Sequence, residues 1–168
     1  MTPILDAHTL EFVSRSPKQT QRLGARLGAL LRGGDVICLE GELGAGKTCL
    51  AQGIGWGWGA TRPLISPTFV LVREYARAND PVRLYHVDLY RISDAEEAFG
   101  LGMDEFLGDD HAACVVEWAE RALALLPPER LWVRLELADP TRRALYFTAQ
   151  GERHTALLQE FRRAAFGG

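Results

Sequence analysis

The chain has 168 residues, with 19 basic against 22 acidic side chains for a net charge of −3, and 47% hydrophobic and 24% charged residues. This composition excludes a disordered or collagen-like chain, and the mild acidity excludes a protein that coats nucleic acid by bulk charge. The length suits one domain over residues 1–168, large enough to bury a core without covalent staples.

Ser16-Pro17 opens a first helix in which Leu23, Leu27, Leu30 and Leu31 recur at three- and four-residue spacing, with Gly33-Gly34 as its end. Val36 to Leu39 is an apolar run between turn residues, the pattern of a strand buried on both faces. A glycine-rich turn follows, then a helical start from Lys47 to Gln52. Gly53, Gly55, Gly57 and Gly59 then alternate with Ile54, Trp56 and Trp58, and each helical glycine costs about 1 kcal/mol relative to alanine. Either the helix ends near Gly55, or close packing of other backbone offsets that cost; the two tryptophans read as core or helix-packing residues.

Phe69 to Tyr75 and Val82 to Val87 read as strands joined by a loop containing Asn79-Asp80-Pro81. Ser93-Asp94-Ala95-Glu96 has capping-box spacing and predicts a short helix. Ala113 to Val116 is a further buried strand, followed by a helix over Ala119 to Leu126. Leu131, Val133, Leu135 and Leu137 alternate along a strand with one wet face, Ala138 to Thr141 turns the chain, and Ala144 to Ala149 is the partner strand. An amphipathic helix covers His154 to Phe166. Helices interleaved with apolar strands predict a three-layer α/β sandwich of the P-loop NTPase class, with antiparallel strands added to a partly parallel central sheet.

Cys38, Cys49 and Cys114 show no C-x-x-C spacing, so neither a Cys-rich zinc site nor a thioredoxin-type motif is indicated. Cys38 and Cys114 read as buried thiols of a reducing compartment. The start M-T-P-I-L-D lacks a signal-peptide pattern, and no apolar run approaches the roughly 18 residues of a bilayer span. The expectation is a cytoplasmic protein without membrane contact.

Gly41-Glu42-Leu43-Gly44-Ala45-Gly46-Lys47-Thr48 matches G-x-x-x-x-G-K-[ST] between a strand and a helix. Glycines let backbone N–H groups converge on phosphate oxygens, and the helix N-terminus adds partial positive charge. Lys47, one of only two lysines with Lys18, is expected at the β- and γ-phosphates, and the Thr48 hydroxyl on Mg²⁺. Gly41, Leu43, Gly44, Ala45, Gly46, Lys47, Thr48 and Cys49 are therefore the candidate nucleotide-binding residues. Guanine readout by N-K-x-D is impossible, because the only asparagine, Asn79, precedes an aspartate.

Two carboxylates follow buried strands: Asp88 after Val82 to Val87, and Glu117 after Cys114-Val115-Val116. A carboxylate in that position holds Mg²⁺ or orients the attacking water. The plainer alternatives are a helix cap for Glu117 and a structural pair with Arg91 for Asp88. His86 reads as a packed histidine. Ser66-Pro67-Thr68 either senses a γ-phosphate through a hydroxyl or simply turns the chain into a strand.

In order and at similar spacing, G-E-L-G-A-G-K-T, S-P-T-F, H-V-D-L-Y-R and V-E-W-A-E resemble the TsaE (YjeE) family, over about residues 24 to 137. The resemblance implies a small P-loop ATPase needed to make N6-threonylcarbamoyladenosine, the modified base beside the anticodon of tRNAs reading codons that begin with A. It implies ATP and Mg²⁺ as ligands and the partners TsaB and TsaD, TsaD carrying the threonylcarbamoyl transfer. Gly44 to Thr48 would wrap the phosphates, Thr48 and Glu117 would ligate Mg²⁺, and Asp88 and Thr68 would lie near the γ-phosphate. Lys47, Asp88, Glu117 and Thr68 form the expected catalytic set, with Ser66, His86, Tyr90 and Arg91 around it. Trp118 would position Glu117 or meet a partner. The adenine pocket would borrow from 16–20 and 141–143.

Hydrolysis is expected to be slow alone and faster with partners, Arg91 being the nearest internal arginine that could contribute. The expected state alone is a monomer. Two rival readings stay open: a small-molecule kinase, disfavoured because no arginine lies between Arg91 and Glu117, and a nucleotide-dependent binding module without turnover. Arg142, Arg143, Arg153, Arg162 and Arg163 outnumber the two glutamates after Thr141, but a solvated helix face explains them as well as RNA does, so tRNA contact is expected to be indirect or weak.

Overall fold

The computed structural model describes residues 6–65, 71–78 and 80–167. Its strands are β1 (Thr9–Ser14), β2 (Val36–Glu40), β3 (Val72–Arg77), β4 (Asp80–Asp88), β5 (Ala112–Glu117), β6 (Arg130–Leu137) and β7 (Arg143–Gln150). They form one sheet in the order β1-β7-β6-β2-β5-β4-β3. The central β6-β2-β5-β4 block is parallel, with antiparallel β7 and β1 on one flank and β3 on the other. This is the mixed, partly parallel α/β sheet that the chain pattern predicts.

The centre is parallel because β2 and β5 are apolar on both faces and need a layer on each. One face packs Ile37, Leu39, Val115 and Val133 under α1 (Pro17–Gly28), α2 (Lys47–Trp58) and α4 (Glu152–Phe166). The other face packs Val36, Cys38, Cys114 and Val116 under α3 (Ala95–Phe99) and two 3-10 turns, Met103–Glu105 and Ala119–Leu125. Burial pushes the Cys38 thiol up to about 12, so it is an inert core group.

Helix α1 starts as its sequence indicates: Ser16 Oγ accepts from Gln19 N at 3.1 Å, and Gln19 Oε1 reaches back to Arg15 N at 2.7 Å. It stops earlier than the leucine spacing predicts, at Gly28. Gly33 and Gly34 do not end it. They form the turn into β2, where a Cβ on Gly33 would sit 1.7 Å from the Asp110 carbonyl oxygen and Gly34 has φ +98°.

The glycine series in α2 has a clear physical reason. The helix runs unbroken to Trp58, and α1 and α2 touch backbone to backbone. A Cβ on Gly53 would stand 2.2 Å from Gln21 O, and one on Gly28 2.0 Å from Ile54 O. Of the two tryptophans, Trp58 is buried under the Arg77 guanidinium, but Trp56 is 79% exposed and is not a core residue.

Other elements depart from expectation in detail. Strand β1 was not expected; it adds to β7 as an edge, with Leu10 and Phe12 half-buried. Strand β4 begins at Asp80 rather than after Pro81, since Asp80 already pairs with Arg77 beyond an irregularity in the β3–β4 register. The cap of α3 is Asp94, which accepts from Glu97 N, while Glu97 reaches back to Ser93, one residue later than the expected box. The segment after β5 is a 3-10 helix kinked at Ala122, not an α-helix. Phe69 and Asn79 lie outside the described residues.

Candidate functional site

Parallel strands deliver the site. Leu39 on β2 pairs with Glu117 on β5, and Glu117 pairs with Asp88 on β4, so three strands end at one edge of the sheet. A sheet of this kind binds ligands outside the carboxyl ends of its strands. From β2 the chain enters the loop 41–46, where Gly44 (φ +85°) and Gly46 (φ +105°) take left-handed backbone that other residues avoid. That geometry folds the loop over the first turn of α2, with Ala45 N donating to Glu42 O at 3.0 Å. Ala45 is buried beneath the loop, while Leu43 is 72% exposed at its tip.

The sequence places Thr48 and Glu117 69 positions apart; the fold joins them. Thr48 Oγ1 donates to Glu117 Oε1 at 2.9 Å, and His86 Nε2 lies 2.5 Å from Glu117 Oε2. Glu117 and His86 are both buried. Glu117 does not cap the helix after it, which has no side-chain cap. Asp88, also buried, accepts from Tyr90 N at 2.9 Å.

Lys47 Nζ donates to the Gly41 carbonyl and, at 2.9 Å, to the Glu42 carbonyl, and it lies 4.1 Å from the centre of the Trp118 ring. Burial lowers its pKa, and the carboxylates of Glu117, Glu120 and Asp88 partly restore it. Trp118 is held in left-handed backbone at φ 58°, the only non-glycine residue with positive φ among the described residues. Such a conformation costs on the order of 1–3 kcal/mol and persists only where surroundings enforce it. Here they do: Tyr90 packs on Trp118 at 5.1 Å, and Arg121 covers the ring at 4.9 Å while donating to Tyr90 O at 2.6 Å and Ile92 O at 3.2 Å.

A cavity of about 330 Å³ opens on these groups, lined among others by Lys47, Thr48, Asp88, Arg91, Glu117 and Trp118. Across the loop, a second cavity of about 410 Å³ is lined by Arg15, Ser16, Pro17, Thr20, Thr141 and Arg143, and shares Gly44, Gly46 and Cys49 with the first. The two segments 16–20 and 141–143, remote in sequence, thus meet beside the loop. Asp139 builds the second of them: it accepts from Thr141 N and Arg142 N and pairs with Arg142, which lowers its pKa to about 2. The Cys49 thiol donates to Pro17 O at 3.1 Å.

Most candidate residues converge here: Gly44, Gly46, Lys47, Thr48, Cys49, Asp88, Tyr90, Arg91, Glu117 and Trp118 all line the first cavity. Gly41 is set behind the loop, against the Leu135 carbonyl. Ser66 and Thr68 lie outside the described residues. Arg143, within the segment expected at the adenine pocket, donates to Gly44 O at 3.3 Å. Sequence reasoning missed Arg121 and Leu71. Neither an isolated arginine nor an isolated leucine has a sequence signature, and only the fold brings these two to the site.

The family model for the threonylcarbamoyl adenosine biosynthesis protein TsaE matches residues 14–145. The chain is 40% identical over 155 residues to the Bacillus subtilis tRNA threonylcarbamoyladenosine biosynthesis protein TsaE, covering 92% of this chain and 94% of the relative. It is also 40% identical to the Treponema pallidum protein of the same name, over 79% of this chain and 96% of that one. In three dimensions it resembles the crystal structure of Bacillus subtilis YdiB, with a TM-score of 0.77 at 35% identity, covering 92% of this chain and 95% of that one. This chain therefore belongs to the TsaE family.

Proposed function

We propose that the protein binds Mg-ATP over the loop 41–48 and hydrolyses it in the service of tRNA N6-threonylcarbamoyladenosine biosynthesis, together with TsaB and TsaD. The observation that carries the reading is the Thr48–Glu117 contact at the start of α2, directly under a glycine loop. A hydroxyl and a buried carboxylate meeting there, with Asp88 on the next strand, form the hard oxygen donor set that suits Mg²⁺. The donors are few, as expected for an ion that takes most of its remaining ligands from phosphates and water.

The backbone N–H groups of 44–48 and the N-terminus of α2 receive the phosphates. Lys47 exchanges the carbonyls of Gly41 and Glu42 for phosphate oxygens, moving from neutral to anionic acceptors. Mg²⁺, when bound by Thr48 and Glu117, neutralises charge developing on the phosphate oxygens. Asp88, at the cavity wall, accepts a hydrogen bond from the attacking water and aligns it, with Thr68 assisting. Arg91 lines the same cavity and supplies positive charge to its mouth. The cavity between 15–20 and 140–143 has the size and the mixed polar and apolar lining to receive the nucleobase.

Phosphoryl transfer is mainly positioning and charge stabilisation, so a partner that orders the loop or adds an arginine accelerates it. Among the described residues no helix is long and apolar enough to cross a membrane. The deciding experiment is phosphate release from Mg-ATP by the protein alone and with TsaB and TsaD. Release that rises with the partners supports the proposal, and equal turnover in both conditions refutes partner stimulation. Tight nucleotide binding without release in either condition supports a binding module, and a phosphorylated small molecule supports a kinase.

A further inference from the structure

The Glu117 carboxylate is fixed at both oxygens. Oε1 accepts from Thr48, and Oε2 meets His86 Nε2 at 2.5 Å, in a pair with side chains 0% and 2% exposed. His86 pairs with Val115 across the β4–β5 boundary, and Asp88 pairs with Glu117, so His86 and Glu117 are diagonal neighbours on the face toward α2. A carboxylate tethered at one oxygen can still rotate about its terminal torsion; one tethered at both cannot. Two acceptors do not approach to 2.5 Å without a proton between them, and a Glu117 side chain that receives a divalent cation is an ionised carboxylate, so in that form the proton belongs to Nε2.

We propose that His86 is a positioning residue, holding the Glu117 carboxylate through Nε2–H so that Oε1 stays at Thr48 in the orientation that receives the divalent cation. The proposal rests on the Mg-nucleotide reading above. It gives this histidine a task that a packed core side chain does not have, and metal sites commonly depend on such hydrogen bonds to their ligands, with losses of about 10–100-fold when they are removed.

The test uses the isolated protein and a fluorescent ATP analogue, first in EDTA and then titrated with Mg²⁺. His86→Asn keeps a polar side chain too short to reach Glu117; His86→Gln puts an amide N–H close to the position of Nε2. His86→Asn is expected to bind the analogue in EDTA as the wild type does but to need about 10–100-fold more Mg²⁺ for half-saturation, and His86→Gln to recover most of that loss. Side-chain ¹⁵N NMR is expected to show a protonated Nε2 in the wild type. An unchanged Mg²⁺ requirement in His86→Asn overturns the proposal whatever happens to the melting temperature, and so does a bare Nε2. Failure of the wild type itself to bind the analogue in either condition overturns the nucleotide reading and this proposal with it, an outcome distinct from the other two.

Discussion

Replacing Glu117 in two ways separates its chemistry from its place in the fold. Glu117→Gln keeps the shape: the amide oxygen still accepts from Thr48 Oγ1, and the amide N–H can meet His86 Nε2 once the imidazole proton moves to Nδ1. Lost is a buried negative charge, whose removal relieves desolvation while weakening one charged hydrogen bond, so stability should change by no more than about 1 kcal/mol. Glu117→Ala instead strands His86 Nε2, on a ring that is 0% exposed, whereas half-buried Thr48 opens to the cavity and can meet water. At about 1–3 kcal/mol for one unpartnered buried group, the expected loss is about 1–3 kcal/mol. For a domain of this size each kcal/mol lowers the midpoint by about 2–4 °C, so differential scanning calorimetry should show a drop of roughly 2–12 °C for the alanine variant and little for glutamine. Phosphate release from Mg-ATP should fall by about 10²–10³-fold in both variants, the scale of losing one electrostatic group at a transition state. A glutamine variant that releases phosphate at the wild-type rate would remove Glu117 from the chemistry. An alanine variant as stable as the wild type would refute the reasoning about the buried contacts.

Three further outcomes are expected. Gly28→Ala drives a Cβ to 2.0 Å from Ile54 O and must part α1 from α2, for a loss of about 1–3 kcal/mol that chemical denaturation will measure; an unchanged midpoint would mean the helices slide freely. His154 Nε2 accepts from Val36 N at 3.0 Å and burial holds its pKa below 6.5, so the neutral ring is the folded form. Its contribution is complete above the unfolded value and is lost as pH falls through the lowered folded one; His154→Gln should flatten that part of the stability–pH curve, and an identical curve would count against it. The intrinsic fluorescence change on adding ATP should disappear in Trp118→Phe, because Lys47 leaves the face of that indole at 4.1 Å; an unchanged amplitude would place the signal at another tryptophan.

The central sheet was legible because β2 from Val36 to Leu39 and β5 from Ala112 to Val116 are buried and apolar throughout, a pattern that needs covering on both sides. Strand β1 was not, because an edge strand in which only Leu10 and Phe12 are half-buried, beside exposed Thr9, Glu11 and Val13, carries a weak pattern. The end of α1 was misplaced because Leu30 and Leu31 continue the helical spacing after the helix has stopped, Leu31 reaching the core from the turn. The glycines of α2 left open whether the helix ends near Gly55 or packs closely on other backbone; the fold shows the second, with α1 against Gly53 and Gly57 and the Leu64 side chain against Gly55. In the site, the loop and the two carboxylates were readable from types and spacing. The His86–Glu117 contact was not, because it depends on the β4–β5 register, and the left-handed Trp118 was not, because no glycine marks it.

These features divide the site into a fixed part and an adaptable part. Thr48, Glu117 and His86 come from a helix and two strands and meet in two hydrogen-bond contacts at Glu117, so their arrangement is set by the sheet register and the seat of α2. Lys47 instead bonds to two carbonyls of its own loop and rests on Trp118, in surroundings whose burial disfavours its charge. Under the proposed function, a phosphate would supply the counter-charge that those carbonyls lack, and the exchange would require movement of one side chain and a glycine loop rather than of the frame. Occupancy of the site would then be readable at the loop and at Trp118, both around the cavity mouth. That is where a partner would have to touch this protein to sense whether nucleotide is bound.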